Sequence, residues 1–135
     1  MSEIKNHDRA SQVIDFTGLR HKTITPTDID GALEYHNKAF AFFEMKLEGA
    51  PCPRGQTLFL TRLVDALCET GKEAALFICR HNVQDPHEDV LAEKTWVESI
   101  YYRHKWTKYK RCGTLKNWLI KWIDFACPEA LEEKK

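Results

Sequence analysis

Apolar and polar residues alternate along Thr27 to Glu48, T-D-I-D-G-A-L-E-Y-H-N-K-A-F-A-F-F-E-M-K-L-E, and this stretch sets the frame for the rest of the chain. Side chains alternate across a strand, so residues two apart share a face. In a first strand Asp28, Asp30 and Glu34 fall on one face, with Ile29, Leu33 and Tyr35 on the other. In a second strand Glu44 and Lys46 share a face, with Phe43, Met45 and Leu47 opposite. Between them His36-Asn37-Lys38 is a turn candidate, because Asn is one of the few non-glycine residues that accepts positive φ. The pattern predicts a β-hairpin. A pairing of Tyr35 with Ala39 or Phe40 would bring Asp30 and Glu44 to similar height on neighbouring strands.

The rest of the chain reads as alternating helices and strands. Asn6 to Leu19 predicts a short helix, with Asn6 as N-cap, Gly18 as its stop, and Ala10, Val13, Ile14 and Phe16 on its apolar side. Arg20 to Thr25 is a short extended lead into the hairpin. After the hairpin, two prolines and two glycines in Gly49 to Gly55 mark a loop. A helix follows over about Gln56 to Thr70; Leu60, Leu63, Val64 and Leu67 form its stripe, and Gly71 ends it. Gln56 lies at the start of that stripe and points towards the strand tips. Ala74 to Cys79 is a compact apolar run, expected to be a buried strand parallel to the Glu44 strand through a right-handed crossover. His81 to Asp89 is a polar loop, and a strand is expected from Thr95 to Tyr102. Gly113 to Ala126 predicts a last helix, with Thr114 as N-cap and Leu115, Trp118, Leu119, Trp122 and Ile123 as its stripe. Together these predict a single α/β domain over 1–135, with residues 1–5 and 128–135 as mobile tails. Its small mixed sheet of about four or five strands would be opened by a β-hairpin and flanked by helices.

Composition narrows the class. The chain has 135 residues, 43% hydrophobic and 30% charged, which suits one soluble globular domain with a real core. It contains no apolar run of membrane-spanning length, and its polar, charged N-terminus is unlike a signal peptide, so a cytoplasmic protein without membrane partners is expected. Its five cysteines are widely spaced with no C-x-x-C, which reads as buried free thiols. Formal net charge is zero, whereas nonspecific DNA binders are usually basic; the distribution of charge matters more than the total here.

Glu44-Met45-Lys46 follows the aromatic run Phe40 to Phe43. An E-x-K on an exposed strand reads as cross-strand pairing of solvated charges. This strand looks central instead, where charges are scarce unless they have a task. Carboxylates at short range repel, and a divalent cation relieves the repulsion; Mg²⁺ is typically held by one or two carboxylates with water and phosphate completing its shell. Pro26-Thr27-Asp28-Ile29-Asp30-Gly31, then Glu44-Met45-Lys46, then Gln56 in the following helix resemble the PD-(D/E)XK nuclease superfamily. The resemblance covers roughly Thr23 to Cys79. The fourteen positions from Asp30 to Glu44 suit that family's hairpin. Thr27 stands between Pro26 and Asp28, so Asp28 and Asp30 both qualify as the family aspartate. Asp30 is favoured, being nearer the turn and level with Glu44. The resemblance implies a restriction-endonuclease-like core and catalytic Asp30, Glu44, Lys46 and Gln56. It also implies Mg²⁺ (or Mn²⁺) on Asp30 and Glu44, with Asp28 adding charge. In this reading Lys46 positions the attacking water, and Gln56 orients Lys46 or the substrate.

Arg103 to Arg111 reads R-H-K-W-T-K-Y-K-R, and residues 99 to 123 contain no acid. Basic side chains neutralise phosphates and aromatic rings stack on unpaired bases. Arg103, Lys105, Trp106, Lys108, Lys110 and Arg111 are therefore the candidate nucleic-acid contacts; an edge strand guarded by lysines has the same composition. The sequence-level expectation is a Mg²⁺-dependent deoxyribonuclease acting on duplex, branched or single-stranded DNA. At this size it would work as a homodimer or beside a protein partner, in a bacterial or phage-infected cell. The alternative is a non-catalytic module of the same fold that binds nucleic acid or protein, for example a phage inhibitor of a host defence complex.

Overall fold

The computed structural model describes residues 10–52, 54–111 and 113–129, with the side chains of Arg54 and Gln56 outside the described set. Strands β1 (Gly31–Tyr35), β2 (Ala39–Leu47), β3 (Glu73–His81), β4 (Trp96–Tyr102) and β5 (Lys105–Lys108) form one sheet in the order β1-β2-β3-β4-β5. Helix α1 (Arg54–Glu69) connects β2 to β3, and α2 (Leu115–Ala126) follows β5. Only the β2–β3 pair is parallel; the other three are antiparallel, so this is a small α/β protein with a mixed sheet.

The hairpin forms as its periodicity suggests. His36 and Asn37 take φ of 45° and 59°, and Lys38 N donates to Tyr35 O at 2.8 Å. Tyr35 pairs with Ala39, which sets the register to Gly31 opposite Phe43. The absence of a side chain at Gly31 matters there: a Cβ would sit 2.9 Å from Phe43 Cδ2. Gly71, at φ 87°, ends α1, with its N–H on Cys68 O and Lys72 N–H on Leu67 O.

Alternation divides the core into two layers. On one face Phe42, Ala74, Leu76, Ile78 and Tyr101 pack with Leu60 and Val64 of α1. On the other Ala41, Phe43, Ala75, Phe77, Cys79, Val97 and Ile100 pack with Leu115 and Trp122 of α2. Thr114 caps α2, accepting from Asn117 N. Among the described residues no helix is long and apolar enough to cross a membrane. Four cysteines, Cys52, Cys68, Cys79 and Cys127, are free thiols.

One expectation needs correction, and one segment takes the edge-strand form its composition allowed. The helix predicted over Asn6 to Leu19 is not present between Ser11 and Leu19, where the only helical turn is the 3₁₀ segment Thr17–Leu19. Asn6, its proposed cap, lies outside the described residues, as do the tail positions 1–5 and 130–135. Val13 is 90% and Ile14 74% exposed, so the apolar spacing there meets no surface that would bury it. A short helix is marginal without tertiary burial. The basic stretch also divides: β4 and β5 form a second hairpin whose turn is Arg103-His104, at φ 49° and 64°.

Candidate functional site

Glu44 is the only carboxylate among the fully buried side chains of the described residues, at 1% exposure. Strand alternation puts it on the α1 face of β2, between Phe42 and Lys46. Lys46 Nζ stands 3.1 Å from Glu44 Oε1. That ion pair is not aligned as a hydrogen bond, and both Glu44 carboxylate oxygens are buried without a hydrogen-bond partner. Burial pushes the Glu44 carboxyl above the usual range; Lys46 opposes the shift and Asp30 adds to it.

Asp30 comes from the residue before β1. The first register pair is Gly31 with Phe43, so Asp30 and Glu44 form the next position outward. Asp30 Oδ2 accepts from Met45 N at 2.7 Å, which ties the carboxylate to the backbone of β2 beside Glu44. Asp30, Glu44 and Lys46 are therefore brought together by the two strands of one hairpin. Asp28 is exposed, two residues earlier in the chain. Glu34 is drawn to the turn, accepting from Asn37 N at 2.5 Å. The Gln56 side chain lies outside the described residues; its backbone is in the first turn of α1.

Sequence reasoning passed over Arg80. It pairs with Lys46 in the parallel register, on the same face. Its guanidinium donates to Leu47 O at 3.1 Å and Ala50 O at 2.5 Å, fixing the chain where it leaves β2. Nε and Nη2 also engage both Glu98 oxygens, at 2.9 and 3.4 Å. The register between β3 and β4 shifts by one residue at Ile78/Cys79, which turns Glu98 towards Arg80. Bulges re-aim side chains in this way beside functional sites. The sequence signal was present: Arg80 directly follows the apolar run Ala74 to Cys79.

The basic segment is spread over several surfaces. Arg103 is held at 2.6 Å from Glu73 Oε1, at the opposite end of β3 from Ile78, the register partner of Glu44. All four β5 residues are exposed. Trp106 and Lys108 line a groove on the α1 face with Ile78, Glu98 and Ser99. Lys105 and Thr107 line a different groove, beside Trp118 and Trp122 of α2. Arg111 stacks on Trp96 at 3.8 Å. Of the six candidate contacts, Trp106 and Lys108 share the face of Glu44.

A buried carboxylate with unmet lone pairs is costly unless a proton or cation answers it. Asp30 and Glu44 supply a two-carboxylate, all-oxygen donor set, which suits a hard divalent cation such as Mg²⁺. Among the described residues no three His, Cys, Asp or Glu side chains gather tightly enough to hold a metal by themselves. Water and phosphate oxygens would then complete the coordination shell. In comparisons with known proteins, no family model, no curated protein and no solved structure matches the chain.

Proposed function

We propose that the protein is a Mg²⁺- or Mn²⁺-dependent deoxyribonuclease of the PD-(D/E)XK type, built on a restriction-endonuclease-like core. The observation that carries this reading is Glu44: a buried carboxylate with two unsatisfied oxygens, paired with Lys46 and pressed against Asp30. Asp30 and Glu44 would hold the cation. When bound, such a cation lowers the pKa of a water and stabilises charge on a phosphoryl oxygen. Asp30 keeps its orientation through the Met45 amide, so the donor pair is pre-arranged by backbone and not by a mobile loop. Lys46, a quarter exposed at its side chain, reaches from the buried carboxylate to solvent. From there its ammonium hydrogen-bonds the attacking water or a non-bridging phosphate oxygen and offsets the charge that grows in the transition state. Arg80 holds the β2 exit and stabilises the strand that carries both groups.

A cleavage assay with Mn²⁺ and Mg²⁺ tests this on duplex, single-stranded, flap and four-way-junction DNA. The parent is expected to cut at least one of them, and Lys46→Ala none. Equal cutting by both would remove Lys46 from the mechanism.

One observation favours a second reading, a non-catalytic module of this fold that binds a protein partner. Val13, Ile14, Leu19 and Ile24 are 67–90% exposed, more apolar side chain than a short segment usually leaves in water. A divalent-metal titration separates the two, because only the nuclease reading needs a cation at Glu44.

A further inference from the structure

Strand register runs a straight row across the sheet from Glu44 to Ile78, Ser99 and Lys108. Three inter-strand steps of about 4.8 Å put Lys108 about 14 Å from Glu44 along that row. At the roughly 3.4 Å axial rise of a B-form strand this is at most about four nucleotides, and fewer for an extended single strand. Above the row lies a groove of about 220 Å³ lined by Cys52, Thr57, Ile78, Glu98, Ser99, Trp106 and Lys108. Its inner wall is apolar and its outer rim carries Lys108. Trp106 leans on Tyr101, with ring centroids 5.1 Å apart, yet 41% of it stays exposed. An indole held by a neighbouring ring, partly open to solvent and two residues from a lysine on the same groove, places an aromatic ring and a phosphate contact together. The acid-free run from 99 to 123 makes this edge strand basic, and Glu98, the one acid lining the groove, is paired with Arg80 at 2.9 Å.

We infer that this groove is a base-binding subsite, in which Trp106 stacks on an unpaired base of the DNA strand and Lys108 meets its phosphate. The inference rests on the proposed nuclease reading and gives its substrate class: strands with unpaired bases a few nucleotides from the scissile bond, as in single strands, flaps and junctions. A base inside a continuous duplex is stacked on its neighbours and cannot offer its face to Trp106.

The test is binding of the full chain in EDTA, so that no cleavage enters. Affinities are measured by fluorescence anisotropy for oligo-dT and for an abasic strand of equal length. Both strands carry the same phosphates, so the electrostatic contribution cancels in the ratio. One stacked base is worth roughly 5- to 150-fold, and oligo-dT should bind tighter than the abasic strand by a factor in that range. Trp106→Phe should keep the preference. Trp106→Leu retains apolar bulk against Tyr101 and should lose it, with thermal melting confirming that it folds. Lys108→Gln should weaken both strands alike. Equal binding of the two strands by the parent, or a preference that survives in Trp106→Leu, overturns the subsite. Failure of Mn²⁺-dependent cleavage with the preference intact would instead count against the nuclease reading alone.

Discussion

Replacing Glu44 with Gln should make the metal-free protein more stable at pH 8, although it removes an ion pair. Two effects compete. Removing one partner of a buried pair costs about 3–5 kcal/mol when the other charge is left uncompensated in the interior. Lys46 is a quarter exposed, however, so its ammonium can return to water and most of that cost lapses. Against it stands the desolvation of a carboxylate at 1% exposure, with both oxygens unpartnered and Asp30 adjacent. An unsatisfied buried polar group costs about 1–3 kcal/mol, and more when charged. Gln keeps the shape, removes the charge and can donate to Asp30. A net gain of about 1–3 kcal/mol follows, which for a domain of this size raises Tm by several degrees. The pH dependence has a definite sign. Glu44's folded pKa lies above its unfolded value, so its protonated form favours folding. That contribution is complete below the unfolded pKa and is lost as pH rises through the folded one. The difference between Glu44→Gln and the parent should therefore be largest at pH 8 and shrink towards pH 4. Mn²⁺ should reverse the order: at a hundred times Kd it stabilises the parent by about 2.7 kcal/mol and should leave Glu44→Gln unchanged. Differential scanning fluorimetry across pH, with and without Mn²⁺, reads all of this. A variant that melts below the parent at pH 8 without metal would show that the Lys46 pair outweighs burial, and would refute the reasoning.

Other perturbations have equally definite outcomes. Lys46→Ala should abolish cleavage while leaving most DNA affinity in place, because it removes stabilisation of the transition state; it also leaves the buried Glu44 carboxylate without its cation, so Tm should fall, more at pH 8 than at pH 4. Gly31→Ala should cost about 1–3 kcal/mol in chemical denaturation, since its Cβ would meet the buried Phe43 ring at 2.9 Å. Arg80→Met should destabilise by about 2–3 kcal/mol in urea melts, because Leu47 O and Ala50 O lose a charged donor. Lys108→Gln should weaken single-strand binding and reduce the slope of log affinity against log salt by about 0.7, whereas Lys105→Gln on the opposite face should change neither.

The hairpin was legible because strand alternation has a period of two and Asn37 marks where the chain reverses. Once the turn is fixed, register follows by counting, and Asp30 arrives beside Glu44. The two helices were legible from their stripes, within two residues at their ends. Residues 11–19 misled because Val13, Ile14 and Phe16 have helical spacing but no face of the protein to cover. Spacing reports what a helix could bury, not whether a surface exists to receive it. The basic segment was legible in composition but not in direction. Its composition named six candidate contacts without their sides; as a strand its side chains alternate, so Lys105 and Lys108 point to opposite sides. The Glu98 bulge was not legible at all, because an extra residue in β4 has meaning only against β3. Arg80 was overlooked with it, since its partners are the Leu47 and Ala50 carbonyls and a side chain brought into place by that bulge.

The most direct test of the central claim is Mn²⁺-dependent cleavage of flap and single-stranded DNA by the parent, Glu44→Gln and Lys46→Ala, side by side at equal concentration. Cutting by the parent alone, abolished by EDTA and restored by added Mn²⁺, is the expected result. Absence of cutting by a parent protein that also binds no Mn²⁺, or equal cutting by all three, would contradict it.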